Sequence, residues 1–375
     1  MILTEAQNMV SSAVREMARV TISPNAGRWE AERAYPPELF PALGKLGLFG
    51  MTAPAAYGGA EADYVSYTLA LEELAYADGG LSTIVSIQNA LVIAALLREG
   101  NDSQKNRFLP PLCSGEMIGA FALTEPAAGS DASALHTRAQ RTADGYVLNG
   151  AKQFISSGKI AGLTIVFAAT DPSAGKKGLT AFLVPAGRPG FLVGAREKKL
   201  GQLAADTCSL TFDDVLVEDG LRLGREGDGY RIALSNLEAG RIGIAAQCIG
   251  MARAALNIAI SYAKERCTFG KRIIEHQAVG FRLADAAARL EAARQLVLHA
   301  AALKDVGAPC LKEASMAKLV ASETAEAVCS ASLQTLGGYG YLEDYGIAKI
   351  YRDVRVCQIY EGTSDILRMV IARQL

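Results

Sequence analysis

The spacing of hydrophobic residues divides this chain into three stretches, and the first of them is helical. Residues 1–117 carry apolar positions at helical spacing after a capping-box start at Thr4-Glu5-Ala6-Gln7. The same spacing predicts longer helices from about Asp63 to Ala77 and from Ser82 to Glu99. We therefore predict an N-terminal α-helical domain over residues 1–117.

The second stretch, residues 118–228, has short apolar runs in place of the helical pattern. The strand-like runs are Ile118–Leu123, Tyr146–Leu148, Gln153–Ile155, Leu163–Ala168, Leu179–Val184 and Cys208–Phe212. Asn149-Gly150, between two of these runs, is the dipeptide most typical of a hairpin turn. Several strands without intervening helices predict a middle antiparallel β domain over 118–228, built as a barrel or a sandwich.

The third stretch, residues 229–375, returns to helical spacing. Three segments rich in Ala, Leu, Arg and Glu, namely Tyr230–Arg266, Gln277–Lys304 and Leu311–Leu336, are much longer than an average helix. Together with a shorter terminal helix they predict a C-terminal four-helix bundle over 229–375. The predicted fold class is therefore α+β and multi-domain, with helical domains on both sides of the β domain.

Length and charge limit the possible partners. At 375 residues the chain exceeds one typical core, and half of its residues are hydrophobic. Its formal net charge is −1 and its basic residues are scattered, which argues against nucleic acid or an anionic membrane as a partner. Gln88 and Asn89 interrupt the longest apolar run, at 84–97, so membrane insertion is not expected.

Cysteine and histidine usage argues against disulfides and metals. The seven cysteines are dispersed without Cys-x-x-Cys spacing, and the three histidines lie far apart, so we expect neither a metal site nor a catalytic triad. The glycines form neither a GxGxxG nor a Walker A sequence. The first residues lack the charged and apolar regions of a signal peptide. A cytoplasmic protein of bacterial type is expected, or a mitochondrial matrix protein if the chain is a mature eukaryotic form.

The segment Ile359–Asp365 contains the strongest candidate for catalysis. Glu361 lies between Tyr360 and Gly362, directly before a predicted terminal helix. A carboxylate that is desolvated on one side and approachable on the other has a raised pKa and can act as a general base. The alternative is that Thr363 or Ser364 simply caps the last helix, with Glu361 as an ordinary surface residue.

The segment Leu123–Asp131 is the candidate for binding an anion. It follows an apolar run, and Pro126 and Gly129 indicate a tight loop. The backbone N–H groups of such a loop can face a diphosphate or the edge of a flavin, with hydroxyl groups supplied by Thr124 and Ser130. The alternative is an ordinary turn between two strands.

Taken together, these two segments closely resemble the acyl-CoA dehydrogenase family of flavoproteins. Arg266-Cys267-Thr268-Phe269-Gly270-Lys271, followed by Glu275–Ala278, resembles the Arg-x-x-Phe-Gly and Gln motif of that family. Gln334–Gly340 is similar to the second stretch that contacts FAD. The resemblance runs in order from about residue 3 to the end. It implies FAD-dependent oxidation of acyl-CoA to trans-2-enoyl-CoA, with electron-transfer flavoprotein as the acceptor.

The resemblance places Glu361 at the position of the catalytic base. Isovaleryl- and long-chain-type members instead carry the base directly before an arginine that contacts substrate. That arginine matches Arg241, and the residue before it is Gly240, which cannot act as a base. Glu238 lies out of the matching position and is better explained as a charge at the helix surface. The substrate residues implied are Ser130, Glu238, Gly240, Arg241, Tyr360 and Gly362.

The same resemblance implies a set of residues that bind FAD, some of them across a subunit boundary. Those expected to line the flavin and its diphosphate are Phe121, Leu123, Thr124, Gly129, Ser130, Phe154, Ile155 and Ser156, with Phe154 in place of the commoner Trp. Thr363, Ser364 and Asp365 are expected to contact the adenosine half. Those expected to reach the FAD of a neighbouring subunit are Arg266, Phe269, Gln277, Gln334, Thr335, Leu336, Gly337 and Gly338. A homotetramer, built as a dimer of dimers, is predicted.

Substrate length is predicted from one helix. The segment Ser86–Ala95, which in this family lines part of the acyl pocket, has no glycine to open a deep channel. Its side chains of interest are Gln88, Asn89, Leu91, Val92 and Ile93. We therefore expect substrates of about four to six acyl carbons, because each further buried methylene would clash rather than gain about 0.8 kcal/mol. A medium-chain dehydrogenase, a same-fold oxidase, a desulfinase-like enzyme and a non-catalytic assembly protein are the alternatives.

Overall fold

The computed structural model describes all 375 residues and has helices on both sides of one large sheet. The α-helices are α1 (Glu5–Met17), α2 (Ala26–Glu32), α3 (Leu39–Lys45), α4 (Tyr64–Ala77), α5 (Gly79–Ser86), α6 (Ala94–Glu99), α7 (Asp102–Ser114), α8 (Gly229–Glu265), α9 (Gln277–Asp305), α10 (Leu311–Leu336), α11 (Ile347–Val354) and α12 (Ser364–Ala372). A π-helical segment, Ile87–Ile93, joins α5 to α6 without a break. The predicted long helices are confirmed within a few residues at each end.

The helix starts follow from capping residues in the sequence. Thr4 and Gln7 form the predicted capping box at α1, with each side chain bonded to the backbone N–H of the other residue. Asp63 caps α4 by accepting a hydrogen bond of 2.6 Å from the Ser66 N–H. Asp78 caps α5 in the same way, through the Leu81 N–H. These side chains satisfy N–H groups that have no partner within their own helix.

The middle of the chain forms a single mixed sheet. Its strands are β1 (Ile118–Ala122), β2 (Arg138–Thr142), β3 (Gly145–Ser156), β4 (Ala161–Ala169), β5 (Leu179–Pro185), β6 (Phe191–Arg196), β7 (Thr207–Val217) and β8 (Arg222–Leu223). Their order is β6-β7-β3-β2-β4-β5-β8, with β1 paired to β4. Most neighbours are antiparallel, but β1 runs parallel to β4 and β2 meets β4 in one parallel pair. The predicted antiparallel β domain is therefore confirmed for most strand pairs and corrected to a mixed sheet by the pairs β1–β4 and β2–β4.

The predicted hairpin at Asn149-Gly150 is wrong. Both residues lie inside β3, and the turn between β2 and β3 connects Thr142 to Gly145. Gly150 has φ of 148° and sits at an irregularity in the pairing of β3 with β7. A β-carbon there would lie 2.6 Å from the Cα of Thr137. The glycine is therefore required by a close approach of the backbone to Thr137, the residue before β2, and not by a turn.

The N-terminal and C-terminal helices share one hydrophobic core. The long helices α8, α9 and α10 pack against one another, and α4 from the N-terminal region packs against both α8 and α9. The short α12 packs along α10. The sheet has its own core, which includes residues of α6, α7 and the first turns of α8. The first turns of α8 therefore belong to the core of the sheet and its later turns, from Ile242 onward, to the helical core; the candidate site lies along this helix.

Two helical stretches, Gly79–Glu99 and Gly229–Glu265, are long and apolar enough to cross a membrane. In each of them 83% of the most apolar window is buried inside the protein. The apolar residues are therefore accounted for by packing in the shared core, and the stretches are weak indications of membrane insertion.

Candidate active site

Glu361 lies in the short connection between α11 and α12, in a conformation that is unusual for its residue type. Its φ is 54° and that of Gly362 is 94°, so two consecutive residues are left-handed. One side of Glu361 faces a cavity, whereas its Oε2 atom is shielded from water and has no hydrogen-bond partner. Desolvation raises the pKa of Glu361 to about 7, against the opposing charges of Arg241 and Lys318. The carboxyl group is therefore poised to exchange a proton near neutral pH.

Gly240, on α8, provides the space that this carboxylate occupies. A β-carbon at position 240 would lie 2.8 Å from both carboxylate oxygens of Glu361. Any side chain there would force the carboxylate away. The role of Gly240 in the site is therefore steric.

Arg241 follows Gly240 on α8 and presents a buried cation to the same cavity. Its Nη1 donates a hydrogen bond of 3.1 Å to Oγ of Ser315 on α10, while its Nε has no partner. Burial lowers the pKa of Arg241, and the neighbouring Glu361 opposes that effect. A guanidinium nevertheless remains charged in proteins. The site therefore has a fixed positive charge beside its carboxylate.

Tyr360 is held by a polar cluster at the wall of the cavity. Its hydroxyl donates to Oε1 of Gln247 on α8 and lies 3.3 Å from Nε2 of Gln202. The Sγ atom of Cys357 lies 3.5 Å from the same hydroxyl. These contacts fix the residue directly before Glu361 to α8 and to the loop that precedes β7.

A cavity of about 600 Å³ brings together eleven of the residues that the sequence predicted for the site. The predicted residues that line it are Phe121, Leu123, Thr124, Gly129, Ser130, Phe154, Ser156, Arg241, Tyr360, Glu361 and Gly362. The β domain supplies one wall, and α8 with the segment before α12 supplies the other. Segments that are more than 200 residues apart in sequence thus meet at one place.

The walls also contain residues that the sequence motifs did not indicate. They are Thr83 and Ile87 from the α5–α6 stretch, Tyr230, Leu234, Leu237 and Ile244 from α8, Ile366, Met369, Val370 and Arg373 at the end of the chain, and Ala132 and Lys176 near the β domain. Periodicity would have placed the α8 residues on one face, since positions 230, 234, 237, 241 and 244 recur at helical spacing. The remaining residues give no local signal.

Several predicted residues lie outside the cavity. Glu238 does not line it, because its carboxylate pairs with Nζ of Lys304 at 2.7 Å. Ile155 points into the core of the β domain, where it is 2% exposed. In the helix at 86–95, only Ile87 and Leu91 line the cavity. The expectation that Gln88, Asn89, Val92 and Ile93 wall the acyl pocket is corrected.

Gln88 and Asn89 instead hold the backbone of neighbouring segments. Gln88 Nε2 donates to the Leu112 and Met117 carbonyls at 2.8 and 2.9 Å, and its Oε1 accepts from the Gly119 N–H. Asn89 accepts from the Met51 N–H at 2.8 Å. Both side chains are fully used in fastening the helix to its surroundings, so they cannot contact a ligand.

The start of α12 shows the capping role that the sequence left open. Thr363 Oγ1 accepts a hydrogen bond of 3.3 Å from the Ile366 N–H. Asp365 is exposed and pairs with Arg368 at 3.4 Å. None of Thr363, Ser364 and Asp365 lines the cavity, although the Oγ of Ser364 is buried without a partner.

The second set of FAD candidates lines a separate groove of about 650 Å³. Its members are Arg266, Phe269, Gln334, Thr335, Leu336, Gly337 and Gly338. Phe269 is 96% exposed although it is a large apolar residue. Gln277 is exposed at the first turn of α9 and does not line the groove, whereas His276 does. Within one chain the two sets of FAD residues therefore do not converge.

A buried ion pair holds the loop after β1. Nζ of Lys152 donates to Oε1 of Glu125 at 2.7 Å and to the Leu123 carbonyl at 3.1 Å. Glu125 also accepts from the His136 and Thr137 N–H groups. Burial alone would raise the pKa of Glu125, but these partners keep it below its usual value. The loop from Leu123 to Thr137 is therefore fastened onto β3.

The cavity residues fit a flavin. The wall from the β domain combines apolar Phe121 and Leu123 with the hydroxyls of Thr124, Ser130 and Ser156. A β-carbon on Gly129 would have no atom within 4 Å, so the loop leaves open space beside its backbone. An aromatic ring system with a polar edge and a phosphate chain needs this combination of surfaces.

Known proteins and family models match this chain over nearly its full length. Three family models match it in order: "Acyl-CoA dehydrogenase, N-terminal domain" over 4–116, "middle domain" over 120–215 and "C-terminal domain" over 227–375. An "Acyl-CoA dehydrogenase" of Bacillus subtilis is 46% identical, with 100% of this chain and 98% of that protein covered. The "Short-chain specific acyl-CoA dehydrogenase, mitochondrial" of Mus musculus is 42% identical over 100% of this chain and 90% of its own length.

A solved structure shows the same fold. It is described as "Electron transferring flavoprotein of Acidaminococcus fermentans: Towards a mechanism of flavin-based electron bifurcation". One of its chains is 41% identical to this protein, with a TM-score of 0.98 and coverage of 100% of this chain and 98% of that chain.

Proposed function

The chain belongs to the acyl-CoA dehydrogenase family, whose members are FAD-dependent oxidoreductases, and we propose that its cavity converts acyl-CoA thioesters to trans-2-enoyl-CoA with Glu361 as the base. The observation that carries this proposal is the desolvated Glu361 carboxylate, which faces a cavity lined by the β-domain loop and by Arg241. No other acidic residue in that cavity is shielded in this way, since Asp131 is exposed.

In the proposed reaction Glu361 removes the proton from Cα of the acyl group. A carboxyl group with a pKa of about 7 is substantially ionised at neutral pH and is a stronger base than an ordinary carboxylate. A bound FAD supplies the acceptor for the hydride that leaves Cβ. The Cα proton ends on the Glu361 carboxyl oxygen, and the two electrons of the Cα–H bond become the second bond of the alkene.

The residues proposed to hold FAD come from two chains. Phe121, Leu123, Thr124, Gly129, Ser130, Phe154 and Ser156 line the cavity of one chain, while Arg266, Phe269 and Gln334–Gly338 lie in the separate groove. Exposed large apolar residues line that groove, namely Phe269, Tyr339 and Leu342. A patch of this kind is typical of a subunit interface. We propose a homotetramer; sedimentation that shows a stable, FAD-loaded monomer would contradict it.

The mouth of the cavity suits the anionic carrier of the acyl group. Nζ of Lys176 lies 5.1 Å from the centroid of the Tyr230 ring, and both residues line the cavity. Coenzyme A carries phosphate groups that a cation in this position can attract. Asp131 also lies near Lys176: hydrogen bonds from the Ser133 hydroxyl and N–H chiefly lower the pKa of Asp131, and the charge of Lys176 adds a smaller contribution. We propose that Lys176 contacts the carrier rather than the acyl chain.

A short acyl chain is proposed as the substrate. Ile87 and Leu91 line the cavity with branched side chains, and we infer that these would obstruct a longer acyl group. The 42% identity to a short-chain specific relative supports the same preference. Butyryl-CoA is the proposed substrate, and a medium-chain preference remains the alternative. Rising catalytic efficiency from butyryl- through octanoyl- to dodecanoyl-CoA would contradict the proposal.

An electron-transfer flavoprotein is the proposed acceptor, and the cytoplasm or another reducing compartment is the proposed location. The structural similarity to a chain of an electron transferring flavoprotein structure supports the first point. The second is supported by the cysteines, all seven of which are free. We also propose domain boundaries at 117/118 and 228/229, where helices give way to strands and strands to helices.

The proposal is tested with the purified, FAD-loaded protein under anaerobic conditions. Addition of butyryl-CoA should bleach the flavin absorbance and yield crotonyl-CoA in stoichiometric amount. A preparation that takes up no FAD, or whose FAD is not reduced by acyl-CoA of any length, would overturn it. Sustained formation of peroxide without an added acceptor would instead favour the oxidase alternative.

A further inference from the structure

Lys318, on α10, is a fully buried lysine close to the proposed base. Its Nζ donates one hydrogen bond, to the carbonyl oxygen of Gly362 at 2.7 Å, and it has no ion-pair partner within 4 Å. Burial lowers the pKa of Lys318, with Glu361 among the groups that oppose this effect. Burying an ammonium group with so few partners is costly, which indicates that its position serves a purpose.

The hydrogen bond from Lys318 ends on a strained piece of backbone. Glu361 and Gly362 have φ of 54° and 94°, and a non-glycine residue in the left-handed region costs about 1 kcal/mol or more. The conformation therefore has to be held by contacts outside the segment. The Gly362 carbonyl, immediately after Glu361, is the group that Lys318 fixes. This contact restrains the Gly362–Thr363 peptide, which begins one residue after Glu361, and thereby limits the movement of the backbone that carries the Glu361 side chain.

Ser315 lies one turn before Lys318 on the same helix and contacts the other charged residue of the site. Its Oγ accepts from Nη1 of Arg241 at 3.1 Å and donates to the Leu311 carbonyl at 2.6 Å. Positions 315 and 318 share one face of α10. One helix face thus holds both Arg241 and the backbone beside Glu361.

We propose that Lys318 is a positioning residue for the catalytic base: it fixes the Gly362 carbonyl, keeps the Glu361 carboxylate in the space above Gly240, and favours its ionised form through its positive charge. The proposal rests on the function proposed above, in which Glu361 is the base. It assigns to α10 a part in catalysis although no residue of α10 lines the cavity.

Few charged and titratable groups surround Glu361 and Lys318. Desolvation raises the pKa of Glu361, the charges of Arg241 from α8 and Lys318 from α10 oppose that rise, and Tyr67 from α4 also faces Glu361. Besides Glu361 and Arg241, the thiols of Cys248 and Cys357 face Lys318. Loss of the Lys318 charge should therefore raise the pKa of Glu361 above its present value of about 7.

The experiment compares Lys318→Met, Lys318→Gln and Lys318→Arg in the FAD-loaded protein. Met removes the donor and the charge, Gln keeps a donor without the charge, and Arg keeps the charge. The pH profile of kcat/KM with butyryl-CoA should move upward by about one pH unit for Met and Gln and stay near wild type for Arg. Lys312→Met, on the same helix without a contact to Gly362, is the matched control and should leave the profile unchanged.

Hydrogen–deuterium exchange supplies a readout that needs no turnover. Amides of Gly362–Ile366 should exchange faster in Lys318→Met than in wild type or Lys318→Gln. An unchanged profile together with unchanged exchange in Lys318→Met would overturn the inference. If Lys318→Met fails to fold, judged by FAD content and Tm, the profiles of the Gln and Arg variants decide. Wild-type protein without turnover would instead refute the proposed function, and the exchange data would still test the contact.

Discussion

The carboxylate of Glu361 occupies the space that a side chain at Gly240 would need, with both oxygens 2.8 Å from the position of the absent β-carbon. In the family that the sequence resembles, some members carry the catalytic base directly before the arginine that matches Arg241, at the position of Gly240, and others carry it at the position of Glu361. The structure brings these two sequence positions, 121 residues apart, to one point. A carboxylate attached at position 240 or at position 361 can therefore occupy this point in the cavity. A side chain at position 240 would exclude the Glu361 carboxylate from it.

Gly240→Ala should impair catalysis without unfolding the protein. The added methyl group would meet the Glu361 carboxylate at 2.8 Å and displace it, so kcat should fall about 100-fold or more, as when a positioned base is lost. FAD content and Tm report on folding. Gly27→Ala, in α2, is the control, because a β-carbon there has no neighbour within 4 Å and should leave kcat unchanged. Wild-type kcat in Gly240→Ala would show that the carboxylate is not fixed there.

The rate should depend on pH through the ionisation of Glu361. The base must be deprotonated to accept the Cα proton, and desolvation raises its pKa to about 7. Below that pH, kcat/KM should therefore fall by about tenfold per unit, and above it kcat/KM should level off. FAD content measured across the same range controls for loss of cofactor. A profile that is flat from pH 5.5 to 8 would exclude a base with this pKa.

Breaking the buried Glu125–Lys152 pair should destabilise the β domain. Lys152→Met removes the charge but leaves Glu125, which is 4% exposed, without its cation, at a cost of about 3–5 kcal/mol. Arg141→Gln breaks an exposed pair, Arg141–Asp219, and should cost less than about 1 kcal/mol. Urea unfolding measures both. An equal decrease in the free energy of unfolding in the two variants would show that the buried pair contributes no more to stability than the exposed pair.

Lys176 should affect the carrier and not the chemistry. Lys176→Ala is expected to raise KM for butyryl-CoA by about tenfold with little change in kcat, since it removes uniform binding of an anionic group. With butyryl-pantetheine, which lacks the phosphates, the variant and wild type should have the same KM. The neighbouring Lys177→Ala, outside the cavity wall, is the matched control. A raised KM for both thioesters would show that Lys176 contacts a part of the substrate other than the phosphate groups.

Much of the fold could be predicted because helical periodicity is a strong local signal. The ends of α4, α9 and α10 agree with the predicted ranges to within about one residue, and Asp63 and Thr4 are capping residues by type as well as by position. Asn149-Gly150 misled the prediction because a glycine can serve a close backbone approach as well as a turn, and only the position of Thr137 distinguishes them. Parallel pairing of β1 with β4 has no local signature at all.

Site residues that lie in short sequence motifs could be predicted, whereas those whose role depends on tertiary packing could not. Glu361, Arg241 and Ser130 lie in recognisable segments, and the structure places them around one cavity. Lys318 was missed because a lysine within a helical pattern resembles a solvated one until its burial is known. Gln88 was assigned to the pocket because the whole helix that contains it was assigned there. The direction of its side chain is set by the π-helical segment Ile87–Ile93, which the sequence does not reveal.

The assignment of Glu361 as the base is tested by anaerobic reduction of FAD in Glu361→Gln, mixed with excess butyryl-CoA and followed at the flavin absorbance. Glutamine keeps the shape of the side chain but cannot accept the proton, so FAD should remain bound while its reduction slows by about 1000-fold or more. Glu238→Gln, which alters the acid paired with Lys304, should reduce FAD at a rate close to wild type. If Glu361→Gln reduced FAD at the wild-type rate, another group would be the base and the proposed mechanism would be wrong.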